Sequence, residues 1–155
     1  MISKGKQFES KFNSDWLKSF PDGFLYRLPD QMNGYKTTSK NICDFIGFNL
    51  NTLYLIECKS HKGASLPLGN ITQYDNLVSK VGIKGVRSGV VLWLYEKDKV
   101  FYIPTSTLIK LKKDGEKSVG LRHLGTYNII EIPSVKKRVF MDSDYTILTS
   151  LKEGE

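Results

Sequence analysis

Apolar residues recur at helical spacing near the start of the chain, where Phe8, Phe12, Trp16, Leu17 and Phe20 form one stripe on a helix expected over residues 5–20. Pro21-Asp22-Gly23 then punctuates a turn. A short strand is expected over 24–28, followed by a polar connection over 29–41. The apolar runs 42–48 and 53–58, separated by Asn49-Leu50-Asn51-Thr52, predict a β-hairpin. A helix is expected over 70–81, with Asn70 as its N-cap and Ile71, Tyr74, Leu77 and Val78 facing inward. Two strands follow, over 88–95 and 100–103, on either side of the turn Glu96-Lys97-Asp98-Lys99. The first contains Gly89-Val90-Val91-Leu92-Trp93-Leu94, apolar without alternation, as a strand covered on both faces should be. Helices are expected over 105–113 and 142–151. This order of elements, α-β-ββ-α-ββ-α, implies an α/β fold with a mixed central sheet flanked by helices. With no internal repeat or Pro/Gly/Ser linker, residues 1–155 read as one domain.

Composition narrows the picture. The hydrophobic content of 40% and charged content of 25% lie in the globular range. No apolar run approaches the roughly 20 residues of a membrane span, and the polar start Met1-Ile2-Ser3-Lys4-Gly5-Lys6 lacks the apolar stretch of a secretory signal. The expectation is a cytoplasmic protein with no membrane partner. Cys43 and Cys58 read as small buried hydrophobes rather than a disulfide. A net charge of +7 favours a polyanionic partner without naming it.

Candidate chemistry lies in Cys43-Asp44-Phe45-Ile46-Gly47-Phe48 and Leu53-Tyr54-Leu55-Ile56-Glu57-Cys58-Lys59, where charges interrupt apolar strands. Side chains alternate along a strand, so Glu57 and Lys59 share one face while Ile56 and Cys58 take the other. A hairpin turning at 49–52 brings Asp44 close to Glu57. Two carboxylates and an ammonium then converge, which suits Mg²⁺ and a phosphodiester substrate. An acidic-x-basic pair is common by itself, arising about twice from this composition by chance. The competing reading is a solvated, salt-bridged face. The preceding aspartate on a paired strand, the apolar neighbours and the polar segment that follows favour a site.

Asp44, Glu57 and Lys59 in this spacing resemble the PD-(D/E)xK nuclease motif. The continuation from Lys59-Ser60-His61 through Ser65-Leu66-Pro67-Leu68 to Gln73 resembles the RecU family of Holliday junction resolvases, as does the opening Gly5-Lys6-Gln7-Phe8-Glu9. The resemblance implies a restriction-endonuclease-like fold, a homodimer, Mg²⁺ or Mn²⁺ dependence, and paired symmetric nicks across a four-way DNA junction. Carried over, Asp44 and Glu57 are metal ligands, Lys59 the catalytic lysine and Gln73 a supporting residue on the helix after the hairpin. Glu9 would bind metal through water or hold Lys59. Ile42 and Thr72 stand where the family usually has threonine and histidine, and the 29–41 connection is shorter than the family's protruding stalk.

Arg27, Lys36, Lys40 and Lys62 are the candidates to contact DNA phosphates, and Lys80, Lys84 and Arg87 also flank the site in sequence. His61 reads as a loop residue near DNA or solvent, and His123 as structural; the two histidines and two cysteines are not spaced for zinc. Two alternatives stand beside the resolvase: another PD-(D/E)xK nuclease cutting duplex or branched DNA, and a non-catalytic nucleic-acid-binding module on the same fold.

Overall fold

A computed structural model describes residues 2–30 and 41–152, so Lys36, Lys40 and most of the expected 29–41 connection lie outside the described residues. In chain order the elements are α1 (Lys4–Ser19), β1 (Phe24–Arg27), β2 (Phe45–Asn49), β3 (Thr52–His61), β4 (Ser65–Pro67), α2 (Tyr74–Val78) and β5 (Val86–Leu94). They continue with β6 (Lys99–Pro104), α3 (Thr105–Lys113), β7 (Ser118–Gly120), β8 (Ile130–Glu131), β9 (Ser134–Lys136) and β10 (Met141–Ser143). Short 3-10 turns occupy Leu68–Asn70, Leu121–His123 and Tyr145–Ser150.

The central sheet has six strands in the order β1-β2-β3-β5-β6-β8, antiparallel except where β3 and β5 run parallel. A parallel pair needs a crossover, and the segment carrying β4 and α2 supplies it. On one face, Phe8, Phe12 and Trp16 of α1, with Phe20 at its C-cap, pack on Phe45, Tyr54, Ile56, Cys58, Val91 and Trp93. On the other, Leu77 of α2 and Leu108 and Leu111 of α3 cover Leu55, Val90, Leu92 and Leu94. Val91 and Trp93 thus serve one core and Val90, Leu92 and Leu94 the other, which accounts for the unbroken apolar run of β5. The α/β architecture expected from the pattern, a mixed central sheet flanked by helices, is present.

Spacing explains α1 in detail. Its core aromatics Phe8, Phe12 and Trp16, continued by Phe20 at the C-cap, repeat every fourth residue, and Ser3 caps its start by accepting the Lys6 amide at 3.2 Å. Leu17, expected on the same stripe, is 43% exposed, because one residue past Trp16 rotates it off that face. Gly47 lets Trp16 lie directly on β2: a Cβ there would stand 2.9 Å from the indole Cζ2. Both cysteines are buried and free, Cys43 in the α2–α3 core and Cys58 in the α1 core, so they do not pair.

Other expectations change. The helix over 70–81 is only the five-residue α2, preceded by the 3-10 turn, and Asn70 caps nothing. The chain breaks at Ile71 (φ −85°, ψ 87°) because Thr72 and the Gln73 amide turn toward Glu57. Beyond Val78, short-range bonds from Lys80 to Leu77 and from Val81 to Val78 lead to Gly82, whose φ of +86° ends the helical path. The helix over 142–151 is instead β10 and the 3-10 turn. Residues 141–143 pair with β9, and the Ser143 amide is drawn to Asp15 Oδ2 at 3.0 Å. Among the described residues no helix is long and apolar enough to cross a membrane.

Candidate active site

Strand register assembles the site. The β2–β3 ladder ends at the pair Phe45 and Ile56, and Asp44, one residue before β2, lies close enough to Glu57 for their charges to interact. The Asp44 amide donates to the Ile56 carbonyl at 3.0 Å, and its carbonyl accepts the Leu28 amide at 2.9 Å, which ties it to both neighbouring strands. Its side chain turns back onto β3, where Oδ2 accepts the Cys58 amide at 2.9 Å. Glu57 follows Leu55 on the α2–α3 face.

Glu57 is 1% exposed, so the solvated salt-bridge reading fails for this residue. Oε1 accepts the Thr72 hydroxyl at 3.3 Å and stands 3.3 Å from Lys59 Nζ, while Oε2 accepts the Gln73 amide at 3.3 Å. Burial pushes the Glu57 carboxyl above the usual range; Lys59 opposes this and Asp44 adds to it. Asp44 is raised for the same first reason, with the Cys58 amide opposing and the charge of Glu9 adding. Glu57 is buried and Asp44 partly buried, and in both the charged form is disfavoured by desolvation, which a nearby cation would offset.

Asp44 and Glu57 are the residues that could hold a metal ion. Their hard oxygens fit Mg²⁺ or Mn²⁺ better than a soft-ligand metal. Among the described residues no group of three or more His, Cys, Asp or Glu side chains is gathered to enclose an ion. Mg²⁺ commonly takes one or two carboxylates, with water and substrate oxygens completing its shell.

The remaining predicted residues divide. Lys59 stands beside Glu57 with its side chain 26% exposed, between core and solvent. Gln73 sits at the N-cap of α2 and reaches Glu57 through its backbone amide; its side-chain Oε1 accepts from Asn76, whose amide group also bonds the Asn41 carbonyl. Glu9 pairs with Arg27, Oε2 lying 3.0 Å from Nε, and makes no ion pair with Lys59. Arg27 is committed to Glu9, Asp30 and the Leu28 carbonyl. Lys62 is 75% exposed, 3.6 Å from Glu96. Arg87 donates to the Leu151 and Lys152 carbonyls. His123 is buried, its Nδ1 accepting the Gly120 amide, as a structural histidine should be.

Sequence reasoning did not assign Thr72, Asn76 or Asn41 to the site. Thr72 stood out only as a departure from the RecU pattern, yet its hydroxyl is the side-chain donor to Glu57. The two asparagines carried no signal, because their contact joins residues 35 apart in sequence.

No protein-family model matches the chain, and no curated protein matches its sequence. Among solved structures it is similar to Hjc of Archaeoglobus fulgidus, a Holliday junction resolvase from an archaeal hyperthermophile, at 19% identity and a TM-score of 0.58. The match covers 79% of this chain and 93% of that one. The chain therefore has a resolvase-like fold, a mixed sheet between helical layers, with Asp44, Glu57 and Lys59 on its central hairpin.

Proposed function

We propose that the protein is a metal-dependent DNA endonuclease that resolves four-way junctions by paired nicks. In this reading residues 1–155 form one nuclease domain that acts as a homodimer in the cytoplasm. The observation that carries the proposal is the buried Glu57 carboxylate with Asp44 close by and the Lys59 ammonium 3.3 Å away. The resolvase-like fold and the RecU-like motifs support the choice of substrate. A two-fold dimer suits a two-fold junction, since each protomer meets an equivalent strand.

Asp44 and Glu57 would hold Mg²⁺ or Mn²⁺, which would supply charge to polarise the scissile phosphate and lower the pKa of a water. The chain's own groups do the rest. The Cys58 amide aims the Asp44 carboxylate, and the Thr72 hydroxyl with the Gln73 amide aims that of Glu57. Lys59 orients the attacking water and offsets negative charge that grows on the phosphoryl oxygens. Arg27 and Glu9 brace the neighbouring strand and helix at the edge of the site.

A labelled four-way junction, matched linear duplex and single strand, each with Mg²⁺ or EDTA, test this for wild type and Asp44→Ala. The expected result is metal-dependent, symmetry-related nicks in the junction that the variant does not make. Equal cutting of linear duplex would assign a general nuclease instead. Tight binding without cutting in any metal would leave a binding module.

A further inference from the structure

Next to the candidate active site, one exposed carboxylate bridges two cations. Asp30 Oδ2 lies 3.0 Å from Lys6 Nζ and Oδ1 lies 3.0 Å from Arg27 Nη2, while the Asp30 side chain is 69% exposed. Arg27 turns its remaining groups inward, to Glu9 and the Leu28 carbonyl. Beside this bridge is a cleft of about 420 Å³ between α1 and the β1–β2 pair, lined by Lys6, Glu9, Ser10, Asn13, Arg27 and Phe45. That volume falls within the range that holds a ligand of nucleotide size. Arg27 pairs with Phe45 in the ladder, so the cleft opens one strand from Asp44.

We propose that Lys6 and Arg27 form a binding site for one DNA phosphodiester, and that the Asp30 carboxylate holds that place in the free protein. The inference rests on the nuclease reading only for the identity of the anion as DNA. A phosphodiester carries one negative charge over two non-bridging oxygens, as a carboxylate does, so it can span the same two cations. Without Asp30, the charges of Lys6, Arg27 and Glu9 sum to +1, which one phosphodiester neutralises. Exposed ion pairs contribute little net stability, so exchanging one anion for the other costs little. Glu9 stays in place and keeps the guanidinium turned toward the cleft. A DNA strand passing Asp44 would displace Asp30 by anchoring a neighbouring phosphate, while other anions would first have to compete with it.

Equilibrium binding of a labelled four-way junction and of an oligothymidine strand, in EDTA so that nothing is cut, tests the site. Asp30→Asn should tighten binding about threefold to tenfold and steepen the log–log salt slope by about one phosphate contact. Asp22→Asn removes the same charge from the exposed turn after α1 and should change binding much less. Lys6→Gln should weaken binding, and in its background Asp30→Asn should gain nothing. Unchanged thermal melting of each exposed variant keeps folding out of the comparison. The site is overturned if Asp30→Asn behaves like Asp22→Asn, if it weakens binding, if its gain survives Lys6→Gln, or if no variant binds DNA. Junction cutting with no Asp30 effect would remove this site and leave the nuclease reading. An Asp30 effect of the expected kind in a protein that never cuts would do the reverse.

Discussion

At the residue scale, Glu57 shows how little of a site depends on the motif letters alone. Its carboxylate is buried and is made usable by groups on another segment, the Thr72 hydroxyl and the Gln73 amide. Thr72 is exposed, so Thr72→Val should leave melting nearly unchanged while slowing junction cleavage about threefold to tenfold, as expected for one lost positioning bond. Gln73→Ala keeps the backbone amide and should slow cleavage less. Single-turnover rates of the two variants decide this, and the reverse order would mean that the Gln73 side chain reaches substrate. Asp44, Glu57 and Lys59 were legible in the sequence because strand alternation and one hairpin suffice to bring them together. Thr72 was not, since its role follows from a local chain reversal that no periodicity records.

At the element scale, α1 is joined to the end of the chain by charge as well as by aromatic packing. Lys11 Nζ lies 2.7 Å from Asp15 Oδ1 and 2.6 Å from Asp142 Oδ1, linking the helix to β10. Asp15 is buried and also accepts the Ser143 amide, so Lys11→Met would leave a buried carboxylate with that amide in place of its cation. The loss should be about 2 kcal/mol, below that of a fully enclosed pair because Lys11 keeps part of its surface in water. The hydrogen bond from Lys11 holds the Asp142 carboxyl below its usual range. A lowered folded-state pKa contributes stability above the ordinary carboxylate value that is lost as pH falls through the lowered one. The gap in Tm between wild type and Lys11→Met should therefore be wide near pH ~7 and narrow near pH ~3. A gap independent of pH would show that Lys11 acts through packing alone. The expected C-terminal helix is absent because residues 141–143 pair with nearby β9, while the Ser143 and Tyr145 amides are drawn to Asp15 and Ser19, 128 and 126 positions away, beyond any local pattern.

At the scale of the whole molecule, the architecture was readable because its main determinants are periodic. The α1 stripe, the hairpin and the two-sided apolar run of β5 together dictate a mixed sheet with helices on both faces. The short strands β7, β8 and β9 carry two or three residues each, too few to give alternation. They are formed by what they pair with rather than by their own sequence. The net charge of +7 agrees with a DNA substrate, yet Arg87, which flanks the site in sequence, is already committed to backbone carbonyls. Charge counted along the sequence thus overstates what is free to meet phosphate. In the proposed nuclease, buried Glu57 with Asp44 nearby would hold the ion on which cleavage depends. The most direct measurement is the single-turnover rate of cutting a labelled four-way junction in Mg²⁺ by wild type and by folded Glu57→Gln. The expected result is a fall of at least about 10³-fold, the scale of losing a group that acts on developing charge. A Glu57→Gln protein that nicks the junction at the wild-type rate would contradict it.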